Sequence, residues 1–486
     1  MPRRLAILFC AAAGPAWAQA PPPVDPFIAV REPVFVLDHV RVVDGTGAAA
    51  RDDQSIVIAN GRIESIGPGA SVRPPEGAKR LDQMGRTVIP GLVGMHNHLY
   101  YSASIATQRG ADGKVAEPGV FINEIPHTAP RLYLAGGVTT LRTTGSLEPY
   151  TDLKVKHRID AGAMPGPHID VTAPYVEGKG TPFAQLHEIE GPDEARRFVE
   201  YWVAEGATSF KAYMNIGGDA LAAAVERAHA HGLKVTGHLC SVTWPEAIAA
   251  GIDDLEHGPV HTDTEFVADK KSDTCPSAKS RADSWLGIEI ADPRVKKLIA
   301  DLVAHGVAVT STLPVFELTA TGRPLPQSRQ LDAMSPSARE SYLKVRDATL
   351  RTPAAAASAA VLRKEMDFEV AFVKAGGLLL AGPDPTGIGG VLPGFGDQRE
   401  VELLVEAGLT PVEAIRVATL NGARFLGRDA EIGTLEPGKR GDLVVIRGDP
   451  SKTIADIENV EIVFKDGVGY DSGKLIESVK GQVGIR

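Results

Sequence analysis

The stretch VIPGLVGMHNHLYY (residues 88–101) sets an apolar, β-branched run directly against two histidines, His96 and His98. In a strand, residues two apart point the same way, so both imidazoles reach one point at the strand's C-terminal end. Alone, an H-x-H pair says little, because two ordinary polar residues at a strand end look the same. The other strand ends decide its meaning.

Seven further apolar runs follow: VTTLRTT (138–144), HIDVTAP (168–174), SFKAY (209–213), KVTGHL (234–239), DDLEHG (253–258), GVAVTSTL (306–313) and GLLLAGPDP (377–385). With LVGMHNH (92–98) they make eight buried strands separated by helical segments. That pattern predicts an α/β fold with a parallel sheet, and eight is the count that closes a (β/α)8 TIM barrel. Helix signals agree. GPDEARRFVEYWVAEG (191–206) has Pro192 near its start and Gly206 at its end, and TPAAAASAAVLRKEMDFEVAFVKAGG (352–377) has Thr352 as cap, Pro353 in the first turn and Gly376 beyond the last.

Both flanks of this region read differently. VFVLDHVRVVDG (34–45), QSIVIANGRIESIG (54–67) and KRLDQMGRTVI (79–89) are short β-rich runs broken by turn residues, and GDLVVIRGDP (441–450) and IENVEIVFKDG (457–467) repeat the style near the C-terminus. Each end alone offers too few strands for a stable sheet. The expectation is one small β-sandwich domain built from residues 30–89 plus 428–480, around a barrel of residues 90–427. Residues 314–351 exceed an ordinary barrel connection, as a lid, a binding loop or surface decoration would.

The first residues, MPRRLAILFCAAAGPAWAQA (1–20), pair a basic start with an apolar run and an Ala16-Trp17-Ala18 site, the layout of a secretory signal peptide over residues 1–18. That predicts an exported protein, periplasmic or secreted. No later apolar run approaches the ~20 residues that span a bilayer. A net charge of −10 over 486 residues provides no basic field for nucleic acid. Of three cysteines, Cys10 leaves with the signal. Export would permit a Cys240–Cys275 disulfide, but two cysteines are no framework, and Cys240 after a core strand reads as a buried free thiol. A homo-oligomer is compatible with such a barrel, and nothing in the sequence specifies an interface.

Chemistry-bearing residues recur at the predicted strand ends: Lys211 in the fourth, His238 in the fifth, His257 in the sixth and Asp384 in the eighth. Barrel enzymes keep their active sites at that end. A charged lysine there would be costly to bury. Capture of carbon dioxide as a carbamate would turn it into an anionic ligand able to bridge two metal ions. The alternative is a plain cation paired with Asp384 or a substrate carboxylate. His96, His98, the carbamate and Asp384 would hold one ion, and the carbamate, His238 and His257 a second. Nitrogen and oxygen donors without thiolate suit two divalent ions such as zinc, with manganese, cobalt or nickel as alternatives.

At these residues the chain resembles the amidohydrolase superfamily, of the binuclear carboxylated-lysine type and the prolidase/imidazolonepropionase-like branch. The matching motifs are PGLVGMHNH, SFKAY, GHL, LEHG, AGPDP, GLTPVEAIRVATLNGARFLG and IGTLEPGKRGDLVVI, spread from about Phe35 to Lys465. The resemblance implies a distorted (β/α)8 barrel, the binuclear ligand set on His96, His98, Lys211, His238, His257 and Asp384, and Asp384 as proton shuttle. Three departures stand out. The tail has Gly441 where Ala often precedes the aspartate, LRTTG lacks an Asp that prolidase-type relatives carry, and Gly237 replaces a substrate-contacting tyrosine.

The expected reaction is hydrolysis of an amide C–N bond of a dipeptide or N-acyl amino acid by an exported dipeptidase-like enzyme. Metal-bridged hydroxide would attack, with water lowered from a pKa of ~15.7 toward ~7. The same pair could serve a lactone, cyclic imide or phosphoester, and a catalytically silent metal-binding barrel is the non-enzymatic alternative. Arg142, Tyr213 and His127 are candidates for substrate contact, the first two for holding an α-carboxylate.

Overall fold

The computed structural model describes residues 24–101 and 120–485, and the segment read as a signal peptide, residues 1–18, lies outside the described residues. The N-terminal end supplies β1 (Ile28–Val30), β2 (Val34–Val42), β3 (Arg51–Ala59), β4 (Arg62–Pro68), β5 (Lys79–Asp82) and β6 (Arg86–Pro90). The middle supplies β7 (Leu92–Asn97), β8 (Val138–Thr143), β9 (His168–Asp170), β10 (Ser209–Ala212), β11 (Lys234–Gly237), β12 (Asp254–Glu256), β13 (Ala308–Ser311) and β14 (Leu379–Ala381). Then come β15 (Leu443–Arg447), β16 (Val460–Lys465) and β17 (Val468–Asp471).

Strands from the two chain ends share one nine-stranded sheet, ordered β1-β17-β16-β15-β6-β2-β3-β4 with β5 beside β2. The join is β6 on β15, antiparallel from Arg86 opposite Arg447 to Pro90 opposite Leu443. Alternation turns Phe35, Leu37, Ile56, Ile58, Val445 and Phe464 into one buried cluster, with Phe35 stacked on Phe464 at 4.9 Å. In β2 the alternation is reset. His39 takes a left-handed φ of 58° and the register shifts between Leu37 and Val40, so Val40 and Val42 rejoin the same cluster. Each such side chain contributes roughly 1.5–3 kcal/mol by burial.

The eight middle strands are all parallel and fall in two sheets, β7-β8-β9 and β10-β11-β12-β13-β14. Each lies inside one of the eight predicted runs. Strand β9 is short, and single bridges beyond it, Thr172 to Ser209 and Val176 to Ala212, tie the sheets together. Past β14, a Cβ on Gly382 would stand 2.3 Å from the His96 nitrogen, so only glycine lets this segment lie against β7.

The helix Pro192–Glu205 ends as its sequence predicts, at Gly206 with φ 102°, and buries Ala195, Phe198, Val199 and Trp202. The helix Ala354–Lys374 starts at Pro353, and Thr352 does not cap it. Its hydroxyl bonds Thr349 O instead, because the helix Pro336–Leu350 ends just before it. Residues 314–351 are mostly helical, and Leu318, Leu331, Met334 and Tyr342 pack against Val391, Phe395 and Val483. Cys240 is not a free thiol: it is bonded to Cys275, with the Cα atoms 4.8 Å apart. The 35-position spacing hid this, because the loop carrying Cys275 folds back over the end of β11. Among the described residues no helix is long and apolar enough to cross a membrane.

Candidate metal centre and active site

The six residues expected to ligate metal converge beyond the C-terminal ends of β7, β10, β11, β12 and β14. Asp384 Oδ1 lies 3.6 Å from His96 Nε2 and 3.4 Å from His98 Nε2, and Lys211 Nζ lies 3.3 Å from His96 Nε2. The His257 ring centre stands 4.4 Å from those of both His96 and His238. One donor atom each from His96, His98 and Asp384 fall within 4.8 Å of one another. All are buried except His238, which is partly open to the cavity.

Backbone strain aims two of these groups. His257 and Asp384 have left-handed φ angles of 71° and 47°, a conformation that costs such residues of order 1–3 kcal/mol. Regular alternation would send Glu256 and His257 to opposite faces, and the reversal at His257 brings both toward the centre. Thr312 Oγ1 holds His257 Nδ1 at 2.8 Å. Asp384 N donates to His96 O, and the Thr386 hydroxyl donates to Asp384 Oδ1 at 2.8 Å.

Burial pulls the imidazoles of His96, His238 and His257 down and brings His98 to about 4, so all four rings are neutral near pH 7 and keep a lone pair. Burial also opposes ionisation of Asp384, but the surrounding His96, His98 and His257 more than offset it and hold its carboxyl well below the usual range. The Lys211 ammonium is pushed down by burial despite a carboxylate beside it.

That carboxylate is Glu256, which sequence reasoning did not single out. Its Oε2 lies 2.7 Å from Lys211 Nζ and 3.1 Å from His96 Nδ1, and its Oε1 lies 3.3 Å from Arg142 Nη1 and 2.5 Å from Thr236 Oγ1. The partner of Lys211 is therefore Glu256 and not Asp384. A signal was present in DDLEHG, where alternation turns Asp254 and Glu256 inward and buried acids require cations.

Two expected substrate contacts lie off the cavity. Arg142 is 1% exposed and is spent on Ser209 Oγ, Met95 O, Thr236 Oγ1 and Glu256, beneath the centre. A side chain whose donors are all engaged in the core has none to offer a substrate. His127 turns away as well, its Nε2 2.8 Å from Gln482 Oε1 near the C-terminus.

Tyr213 does line the cavity. This space of about 100 Å³ is bounded by the histidines, Lys211 and Asp384 on one side and by Tyr100, Ile122, Tyr175, Phe183 and Tyr213 on the other. The Tyr100 and Tyr175 hydroxyls are 2.7 Å apart, and Tyr213 stands 5.0 Å from the His238 ring. A Cβ on Gly237 would meet the Ile252 side chain at 2.8 Å and that of Leu239 at 2.9 Å, so a side chain there would have to displace them. Tyr213, from the neighbouring strand, fills the flank of His238 instead.

The amidohydrolase family model matches residues 87–469, and the chain belongs to that family. The imidazolonepropionase of Stenotrophomonas maltophilia (strain R551-3) is 30% identical over 111 residues, which covers 23% of this chain and 25% of that protein. The chain thus matches about a quarter of that curated relative's length. A solved Xaa-Pro dipeptidase with methionine bound in its active site aligns at TM-score 0.63 with 20% identity, over 90% of this chain and 100% of that one. The bottromycin amidohydrolase aligns at TM-score 0.66 with 22% identity, over 92% and 91%. At such identities these two likenesses describe the fold.

Proposed function

We propose that the chain is an exported metal-dependent hydrolase that cleaves the amide C–N bond of a dipeptide or N-acyl amino acid. The observation that carries this reading is the cluster of His96, His98 and Asp384 with donor atoms within 4.8 Å, ringed by Lys211, His238 and His257. The donors fit divalent metal. The imidazoles are kept neutral, Asp384 is kept anionic, and His98 Nδ1 is buried with no hydrogen-bond partner among the described residues. Nitrogen and oxygen donors without thiolate suit zinc.

In this reading His96, His98 and Asp384 would hold one ion and His238 and His257 the other, and Lys211, as a carbamate, would add an anionic oxygen ligand. A neutral amine is what captures carbon dioxide, and the burial that lowers the Lys211 ammonium favours that form. The ions would supply Lewis acidity and a water activated near neutral pH. Asp384 takes a proton as attack begins and returns it to the leaving amine. Tyr213 and Tyr175 form the wall against which substrate is oriented, and Glu256 fixes His96 from behind.

The eight parallel strands then form a distorted (β/α)8 barrel over residues 90–427, closed where the Gly382 segment meets β7, and residues 30–89 plus 428–480 form a β-sandwich domain. Residues 1–18 serve as the signal for a periplasmic or secreted protein, and the Cys240–Cys275 bond supports an oxidising compartment. The test is hydrolysis of a panel of dipeptides and N-acyl amino acids by the zinc-loaded protein, with Lys211→Ala alongside. Amine release that vanishes in the variant supports the reading. Silence from a protein carrying two metals overturns it in favour of lactones, cyclic imides or phosphoesters.

A further inference from the structure

A second, larger cavity of about 270 Å³ shares no lining residue with the first and lies between residues 314–346 and residues 390–402. Apolar groups make much of its wall, among them Pro314, Leu318, Pro324, Val391 and Phe395. Two polar groups reach it from one face of the helix Pro336–Leu350, Tyr342 and, one turn on, Arg346. Tyr342 is fully buried and its hydroxyl has no hydrogen-bond partner among the described residues. A buried hydroxyl in that state is unfavourable unless something meets it.

Charge on the wall is unevenly spent. Glu317 is held by Arg323 and Arg399 at 2.7 Å each, Glu402 by Arg399, and Glu458 by Arg329. Arg346 donates only to the backbone carbonyls of Arg323 and Pro324, and among the described residues it has no carboxylate partner. The acids on the wall are thus matched by arginines, while one guanidinium beside one free hydroxyl is not.

We propose that this cavity binds a small monocarboxylate with an apolar body, its carboxylate received by the Tyr342 hydroxyl and the Arg346 guanidinium. The volume lies just under the roughly 300–1,000 Å³ of small-molecule sites. One wall continues the chain from Asp384: Thr386 and Gly387 line the first cavity, and Gly390, Val391 and Phe395 line the second.

Calorimetric titration of the full chain with 3-phenylpropionate tests the site, with 3-phenylpropan-1-ol and 3-phenylpropylamine for comparison. The carboxylate is expected to bind once per chain, about tenfold tighter than the alcohol or the amine, with about tenfold loss in Tyr342→Phe and in Arg346→Gln. Binding should persist after chelation of metal, which separates it from the histidine centre. Tyr342→Phe removes only a buried, unpartnered hydroxyl, so its melting temperature should hold or rise and a lost affinity is not a lost fold. Binding kept by both variants, equal or tighter binding of the amine or alcohol, or no binding at millimolar carboxylate would overturn the proposal.

Discussion

Glu256 is the residue on which the centre's electrostatics turn, since it faces Lys211, Arg142 and His96 together. Glu256→Ala would leave the buried Arg142 guanidinium without a carboxylate, and a loss of about 3–5 kcal/mol is expected in denaturant unfolding of the metal-free protein. An unchanged midpoint would refute that role. Asp384→Asn should keep most bound metal and lose nearly all turnover, measured by metal analysis beside kcat, and near wild-type activity would remove its part in proton transfer. His261 gives a pH test apart from the ligands. Its ring stacks on Phe316 at 3.7 Å, and burial, helped by the charge of Arg281, pulls it down to about 3. A histidine whose folded pKa lies below its unfolded value of ~6.5 contributes stability that is complete above that pH and is lost as pH falls toward the folded value. His261→Phe should therefore melt less differently at pH 4.5 and pH 7.5 than the wild type does. At this scale the sequence was informative wherever a polar residue ended an apolar strand, as with His96, Lys211 and Asp384. It misled for Arg142, because a strand-end arginine reads alike whether it faces the cavity or the core beneath.

Among the elements, all eight parallel strands were legible because each is an apolar run between helical segments, although every strand is shorter than its run. The reset in β2 was not, since no residue pattern marks the extra position at His39. Nor was the helical nature of residues 314–351, which the sequence marked only as longer than an ordinary barrel connection, whereas Pro314 and Pro336 sit in the first turns of helices. The disulfide is a contact between elements that spacing alone could not reveal. Closing a loop of 35 positions should stabilise by roughly 4 kcal/mol on the chain-entropy account. Cys275→Ser should lower the thermal midpoint, and reducing agent should lower the wild type by a similar amount while leaving the variant unmoved. Equal melting with and without reductant would show that the bond contributes nothing.

Over the molecule as a whole, a cluster of buried acids lies behind β13. Glu365, Glu369 and Glu400, from the helices Ala354–Lys374 and Phe395–Ala407, are buried there with carboxylate oxygens that lack hydrogen-bond partners among the described residues. Burial pushes all three up, Glu369 to about 8. An acid raised on folding holds more protons folded than unfolded, so its share of stability is present below the ordinary value of ~4.3 and is lost as pH rises through the folded one. Glu369→Gln should therefore raise the melting temperature at pH 8.5 more than at pH 5.5, and an equal shift at both would contradict this. The nine-stranded sheet has a consequence in time. Strand β6 finds β15 only about 350 positions later, and at ~5–20 residues per second a ribosome spends roughly 20–70 s making the chain between them. One edge of the N-terminal strands stays open throughout that interval. That edge closes only when β15 is made, so a chain cut before Leu443 would display a sticky edge of the kind that aggregates.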